Sequence, residues 1–156
     1  MATGGVLSNG VKVGYSASSP VAWTSVGQIL NVEIPGLEPE EVETTVHGTS
    51  SFRRFMRGMI DVTELTVTCL GDLDEGTSVA YDALFDYQAA GTTLYWRVEV
   101  PVNRTQTEYT AFEFQGWVKN WRPITGEPGS RQELEFSVRF DGTAFSKYEA
   151  GASAIS

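Results

Sequence analysis

The residues of this 156-residue chain that could do chemistry occur singly and not as sets. His47 is the one histidine. With no second His or Cys at ligand spacing, it suits a hydrogen-bonding place in a loop or interface better than a zinc site or a general base. Glu38, Glu40, Glu41 and Glu43 could supply the carboxylate pair of a glycoside hydrolase, but a run of like charges more often marks a solvated or inter-subunit face. No Gly-x-Ser-x-Gly elbow offers a serine nucleophile. Asp72-Leu73-Asp74-Glu75-Gly76 opens like a calcium loop, yet its glycine comes one place early and Ala83 stands where the bidentate glutamate belongs. The residue types thus predict no catalytic site, no metal site and no cofactor.

Two clusters remain. Arg53, Arg54 and Arg57 stand beside Phe52, Phe55 and Met56, and could bind phosphate or meet carboxylates of a neighbouring subunit. In so acidic a chain the second use is preferred. Trp117 and Trp121 share strand parity with Lys119 and could form a sugar-stacking platform; the alternative is packing under a helix or at an interface, where tryptophan is enriched. Packing is the preferred reading, and a monomeric carbohydrate-binding module is kept as the competing one. Asn103-Arg104-Thr105 matches a glycosylation acceptor, which has meaning only for a secreted chain.

Composition narrows the classes. The formal charge is −9, which opposes a grip on nucleic acid or an anionic membrane, since both need Lys and Arg to neutralise phosphate. It does not oppose a protein that lets DNA pass. Cys69 has no partner for an intrachain disulfide, which fits a reducing compartment. Residues 1–19 lack the basic start and apolar run of a signal peptide, so the chain is expected to be soluble and cytoplasmic when made.

The elements that would position these residues are mostly strands. Period-two alternation marks Val11–Tyr15, the segment from Trp23 to Ile34, Glu64–Leu70, Leu94–Val100, Thr110–Trp121 and Gln132–Phe140. Leu94–Val100 and Thr110–Trp121 read as a hairpin with a polar tip over Pro101–Tyr109. One helix is predicted at about 78–90, capped by Thr77 or Ser78 and stopped at Gly91, with Leu84 and Tyr87 on its apolar stripe. The expected fold is mainly β: a β-sandwich or open barrel with one flanking α-helix. Residues 1–22 are expected as an N-terminal arm, 23–142 as the domain, and 143–156 as a C-terminal arm held by Phe145 and Tyr148.

Within the domain, Pro35-Gly36 ends a strand, and a connection of roughly 25 residues follows before the next. It carries Phe52, Phe55, Met56 and Met59, which are costly to leave in water. The long loop 36–63 is therefore predicted to be an arm that buries these residues against another subunit, with Arg53, Arg54 and Arg57 meeting acids such as Glu38, Glu40, Glu41 and Glu43 across the joint.

Taken in order, several of these pieces resemble the tail tube (major tail) proteins of long-tailed bacteriophages, over about Ile29 to Gly142. The resemblance rests on Ile34-Pro35-Gly36, on Phe52-Arg53-x-Phe55-x-x-Gly58-Met59-x-Asp61 followed by Glu64-Leu65-Thr66-Val67, on the single helix, and on Gly116-Trp117-Val118 in a late strand. Two features depart from the family: the N-terminal arm is long and glycine-rich, and no immunoglobulin-like domain follows Gly142.

The resemblance implies a β-sandwich with a flanking helix and six subunits per ring, with rings stacked into a hollow tube through which the genome is ejected. It implies that the chain is a structural virion protein of the tail, made in the host bacterial cytoplasm and not an enzyme. Its partners would be itself and other tail proteins (tape measure, terminator, distal tail), with DNA passing unbound and no membrane contact. Related tubes occur in contractile tails and type VI secretion. On this expectation carboxylates would line the bore and repel DNA phosphates over a screening length of about 8 Å, with Glu99, Glu113, Glu133 and Glu135 on the polar strand faces as the candidates.

Overall fold

Alternating apolar residues build a single curled antiparallel sheet, seen in a computed structural model that describes residues 10–17, 22–26, 29–45, 48, 52–70, 79–124, 126–129 and 132–155. His47, the acidic loop Asp72–Gly76 and the cap candidates Thr77 and Ser78 lie outside the described residues. The strands are β1 (Lys12–Ser16), β2 (Thr24–Val26), β3 (Ile29–Glu33), β4 (Leu37–Glu43), β5 (Phe55–Val62), β6 (Leu65–Leu70), β7 (Thr93–Pro101), β8 (Tyr109–Ile124) and β9 (Glu133–Gly151). One helix, α1 (Val79–Ala90), falls between β6 and β7.

Seven strands form the main sheet in the order β2-β1-β7-β8-β9-β6-β3, and β4 with β5 form a separate two-stranded sheet. The edge strands of the main sheet are neighbours in sequence. Val26 ends one and Ile29 starts the other, so their Cα atoms lie within about 11 Å of each other whatever the intervening path. A sheet whose two edges must meet that closely has to curl. Of the two architectures left open by the sequence, the molecule adopts the open barrel.

The inner face carries the core. Leu65, Val67 and Cys69 of β6, Leu94, Trp96 and Val98 of β7, and Leu134, Phe136 and Val138 of β9 are all fully buried. Trp96 stacks obliquely against Phe136 at 5.8 Å and against Tyr15 at 5.8 Å. Helix α1 lies on this core through Leu84, which is fully buried. Its end is a glycine-closed turn: Gly91 takes φ 70°, Gly91 N–H donates to Gln88 O, and Thr92 N–H donates to Tyr87 O. Asn120 sits in the left-handed region at φ 56°, within a register shift of β8. The next amide, Trp121 N–H, leaves the ladder there and donates to Gln88 Oε1 at 2.7 Å, which pins the helix to the bulge.

Several expected boundaries change. The segment read as one strand from Trp23 to Ile34 is two strands on opposite edges of the sheet. The N-terminal arm contributes β1, which pairs along β7 from Lys12↔Glu99 to Ser16↔Tyr95 and so belongs to the barrel wall. The C-terminal arm is also wall: β9 runs on through Gly142 to Gly151 and pairs with β8 as far as Tyr109. Gly142, at φ 94°, bends this strand and does not end it. Phe145, stacked on Phe114 at 5.7 Å, holds the continuation down.

Candidate functional site

The long connection expected to be irregular is a β-hairpin. Its root is fixed by Thr63 N–H donating to Gly36 O at 3.0 Å and Gly36 N–H donating to Thr63 Oγ1 at 2.7 Å. From there Leu37↔Val62 begins a ladder that continues to Glu43↔Phe55, and Thr44 N–H still donates to Arg54 O beyond it. Between Pro39↔Ile60 and Glu41↔Arg57 the strand β5 carries one extra residue, a bulge at Gly58–Met59 facing Glu40. Gly58 suits the crowded side of that bulge, because a Cβ there would lie 3.2 Å from Glu40 Cβ and Val42 Cγ2.

Side chains on directly opposed pairs share a face of the hairpin. One face holds Leu37, Pro39↔Ile60, Glu41↔Arg57 and Glu43↔Phe55, and the other holds Glu38↔Asp61, Glu40 and Val42↔Met56. Past the root, where Val62 is buried, neither face is covered by the described residues. Every residue of β4 is exposed, and Phe52 (81%), Met59 (80%), Phe55 and Met56 (both 56%) stand in solvent. A two-stranded ribbon alone is marginal in water, and a contiguous exposed apolar patch is characteristic of an interaction surface. Arg53, Arg54 and Arg57 are exposed on the same hairpin, and Arg57 sits directly opposite Glu41. The structure therefore brings the eleven residues expected at a joint, Phe52 through Arg57, Met59 and the four glutamates, onto one projecting element.

The hairpin leaves from the barrel end where the described chain begins. A cleft of ≈ 480 Å³ is lined by Gly10 and Val11 at the start of the described chain, by Val100 of β7, and by Ile29–Val32 and Ile34 leading into the hairpin. Gly10 also lies against the side chain of Gln106 in the β7–β8 turn. Lys12 donates to Ser153 Oγ at 3.2 Å and lies over the Tyr109 ring at 5.3 Å.

The four carboxylates expected along a bore have different surroundings. Glu99 is corrected outright: it is fully buried, because the C-terminal segment folds over the outer face of β7 and covers it. Glu113 Oε1 accepts from Arg97 Nη1 at 2.8 Å, and Glu135 lies 3.5 Å from Arg122. Each thus has a basic neighbour within the subunit, and Glu113 shares Arg97 with Glu99. Glu133 and Glu135 are half-buried at the start of β9.

The tryptophan pair does not form a platform. The bulge at Asn120 turns Trp121 under the helix, where its ring packs 5.1 Å from Phe85, while Trp117 stays 39% exposed opposite Arg139. The glutamates of β4 are divided between the two faces of an exposed strand, Glu38 and Glu40 on one and Glu41 and Glu43 on the other. Among the described residues no group of three or more His, Cys, Asp or Glu side chains is placed to hold a metal ion, and no helix is long and apolar enough to cross a membrane.

Sequence comparison gives no matching family model and no matching curated protein. Structural comparison does find neighbours. A chain from the tube-terminating cap of the anti-feeding prophage superposes with a TM-score of 0.71 at 9% identity, covering 96% of this chain and 95% of that one. A chain from the six-fold symmetrised baseplate of the same particle gives 0.68 at 10% identity, covering 96% and 98%. The SPP1 tail tube gives 0.65 at 16% identity, covering 96% and 81%. At these identities the likeness is one of fold, and it extends over 96% of the chain in all three comparisons. The chain thus has the tail tube fold, the fold of the SPP1 tube subunit and of the cap and baseplate chains it superposes on.

Proposed function

We propose that this chain is a structural virion protein that polymerises as stacked rings, six subunits to a ring, into the hollow tail tube through which phage DNA is ejected. The observation that carries the reading is the hairpin: a two-stranded ribbon with exposed apolar side chains on both faces, uncovered by the other described residues. Its neighbours in fold add support, since they come from a tail tube, a tube-terminating cap and a six-fold symmetrised baseplate. A head-to-tail contact that closes gives a ring, and a second contact along the axis gives a filament. In this reading the hairpin makes the axial contact, with Phe52, Phe55, Met56 and Met59 in the desolvated centre. Arg53, Arg54 and Arg57 then face Glu38, Glu40, Glu41 and Glu43 of the next copy.

The open edges of β2 and β3 are the lateral counterpart, because unpaired edges invite pairing with another chain. Glu113, Glu133 and Glu135 are the remaining candidates for the bore, with other tail proteins (tape measure, terminator, distal tail) at the tube ends. Electron microscopy of concentrated protein tests the proposal. Rings or tubes of uniform width are expected, and a monodisperse monomer at all concentrations would overturn it.

A further inference from the structure

The chain's last described residues are held by a buried acid. Glu99 is 0% exposed. Its Oε1 accepts from Ser153 Oγ at 2.8 Å and from Ile155 N–H at 3.3 Å, and its Oε2 accepts from Ala154 N–H at 3.0 Å and from Arg97 Nε at 3.3 Å. A carboxylate is kept out of water only where such partners replace hydration. Most of them come from the tail.

The same segment also grips the neighbouring strand. Lys12 Nζ donates to Ser153 Oγ at 3.2 Å and to Ile155 O at 3.4 Å. Ile155, 1% exposed, lies on Gly14, where an added Cβ would meet it at 3.1 Å. Since Lys12 pairs with Glu99 and Gly14 with Arg97 in the β1–β7 ladder, the tail crosses two strands and extends neither.

That position matters because β1 is nearly an edge. Outside it lies only the three-residue β2. If the β1–β2 ribbon lifts, the long strand β7 presents a bare edge, and bare edges pair with other chains. We propose that residues 153–155 are a releasable staple, caught by Glu99, that holds the β1–β2 ribbon on β7 and keeps the β7 edge closed to strands of a second copy. The staple is built from one apolar side chain and a few hydrogen bonds beyond the end of β9 at Gly151. Such a unit opens locally, ahead of global unfolding.

Amide hydrogen exchange on dilute, dispersed subunits tests this without requiring polymerisation. Three chains are compared: the full chain, a chain ending at Gly151, and the milder Ile155→Ala. Exchange at Val13–Tyr15 of β1 is expected to speed up by about tenfold or more in both altered chains, as for local opening, while Leu65–Cys69 of β6 keeps its protection. Unchanged β1 exchange would overturn the staple. So would an equal rise in β1 and β6, which would mean that the tail contributes only to global stability. Should the shortened chain not fold, Ile155→Ala gives the same selective readout.

Discussion

Arg139 reaches Asp61 across 3.3 Å, one residue past the last β6–β9 pair, Leu65↔Val138. Lys119 pairs with Glu64 beside it. These two ties join the barrel wall to the base of the hairpin at the point where it departs. Both pairs are partly exposed, so each contributes about 0–1 kcal/mol. Their effect is to aim the ribbon and not to hold the barrel together. Beyond Asp61 the apolar side chains of the two strands are exposed among the described residues.

Replacing Phe52 and Phe55 together by Asp is expected to abolish assembly and leave the subunit folded. Both side chains stand largely in solvent, at 81% and 56% exposure, so the barrel loses no packing. Stability in denaturant should change by no more than about 0.5 kcal/mol, as for other surface positions. Sedimentation velocity and circular dichroism check the two halves. A double mutant that still forms tubes would remove the hairpin from the joint.

Gly116→Ala is expected to act on the barrel itself. A Cβ at this position would lie 2.2 Å from the backbone oxygen of Arg139, in the β8–β9 ladder where Gly116 pairs with Phe140. Backbone cannot yield as a side-chain tip can, so the strands must part locally. A loss of about 1–3 kcal/mol is expected from overpacking of this kind, read as a lower midpoint in urea.

Alkaline stability should depend on Tyr15. Burial, with Tyr87 beside it, pushes its hydroxyl up to about 12 from an ordinary 10. The folded state therefore keeps this proton where the unfolded chain has lost it. The contribution is intact below pH 10 and falls as pH rises from 10 towards 12, by about 1.4 kcal/mol per unit. Tyr15→Phe should flatten this part of the slope when urea unfolding is followed from pH 9 to 12.

Which parts could be read from residue types follows from burial. Leu65-Val67-Cys69, Trp96-Val98 and Leu134-Phe136-Val138 alternate because one face of each strand is wholly buried, and that pattern gave a mainly β fold directly. The helix and its stop at Gly91 were legible for the same reason, through Leu84 and the glycine turn. Strands β4 and β5 were not, since a ribbon buried on neither face has no alternation to show. Its apolar residues nevertheless set it apart from a polar linker.

Long-range geometry hid the rest. That Val26 and Ile29 sit on opposite sheet edges is set by barrel closure and not by their neighbours in sequence. Parity correctly placed Glu99 on the face opposite Val98, but only the returning tail decides that this face is dry. Trp121 left the parity of Trp117 because Asn120 takes a left-handed turn, which no apolar pattern announces.

Oxidative footprinting of the hairpin in dispersed and assembled protein asks directly whether it lies between copies. In the dispersed subunit Met59 and Phe52, at 80% and 81% exposure, should react readily, and in assembled particles their reactivity is expected to fall about tenfold or more, as burial at an interface core requires. Equal reactivity in the two states, with particles visible in the sample, would contradict the hairpin as the joint.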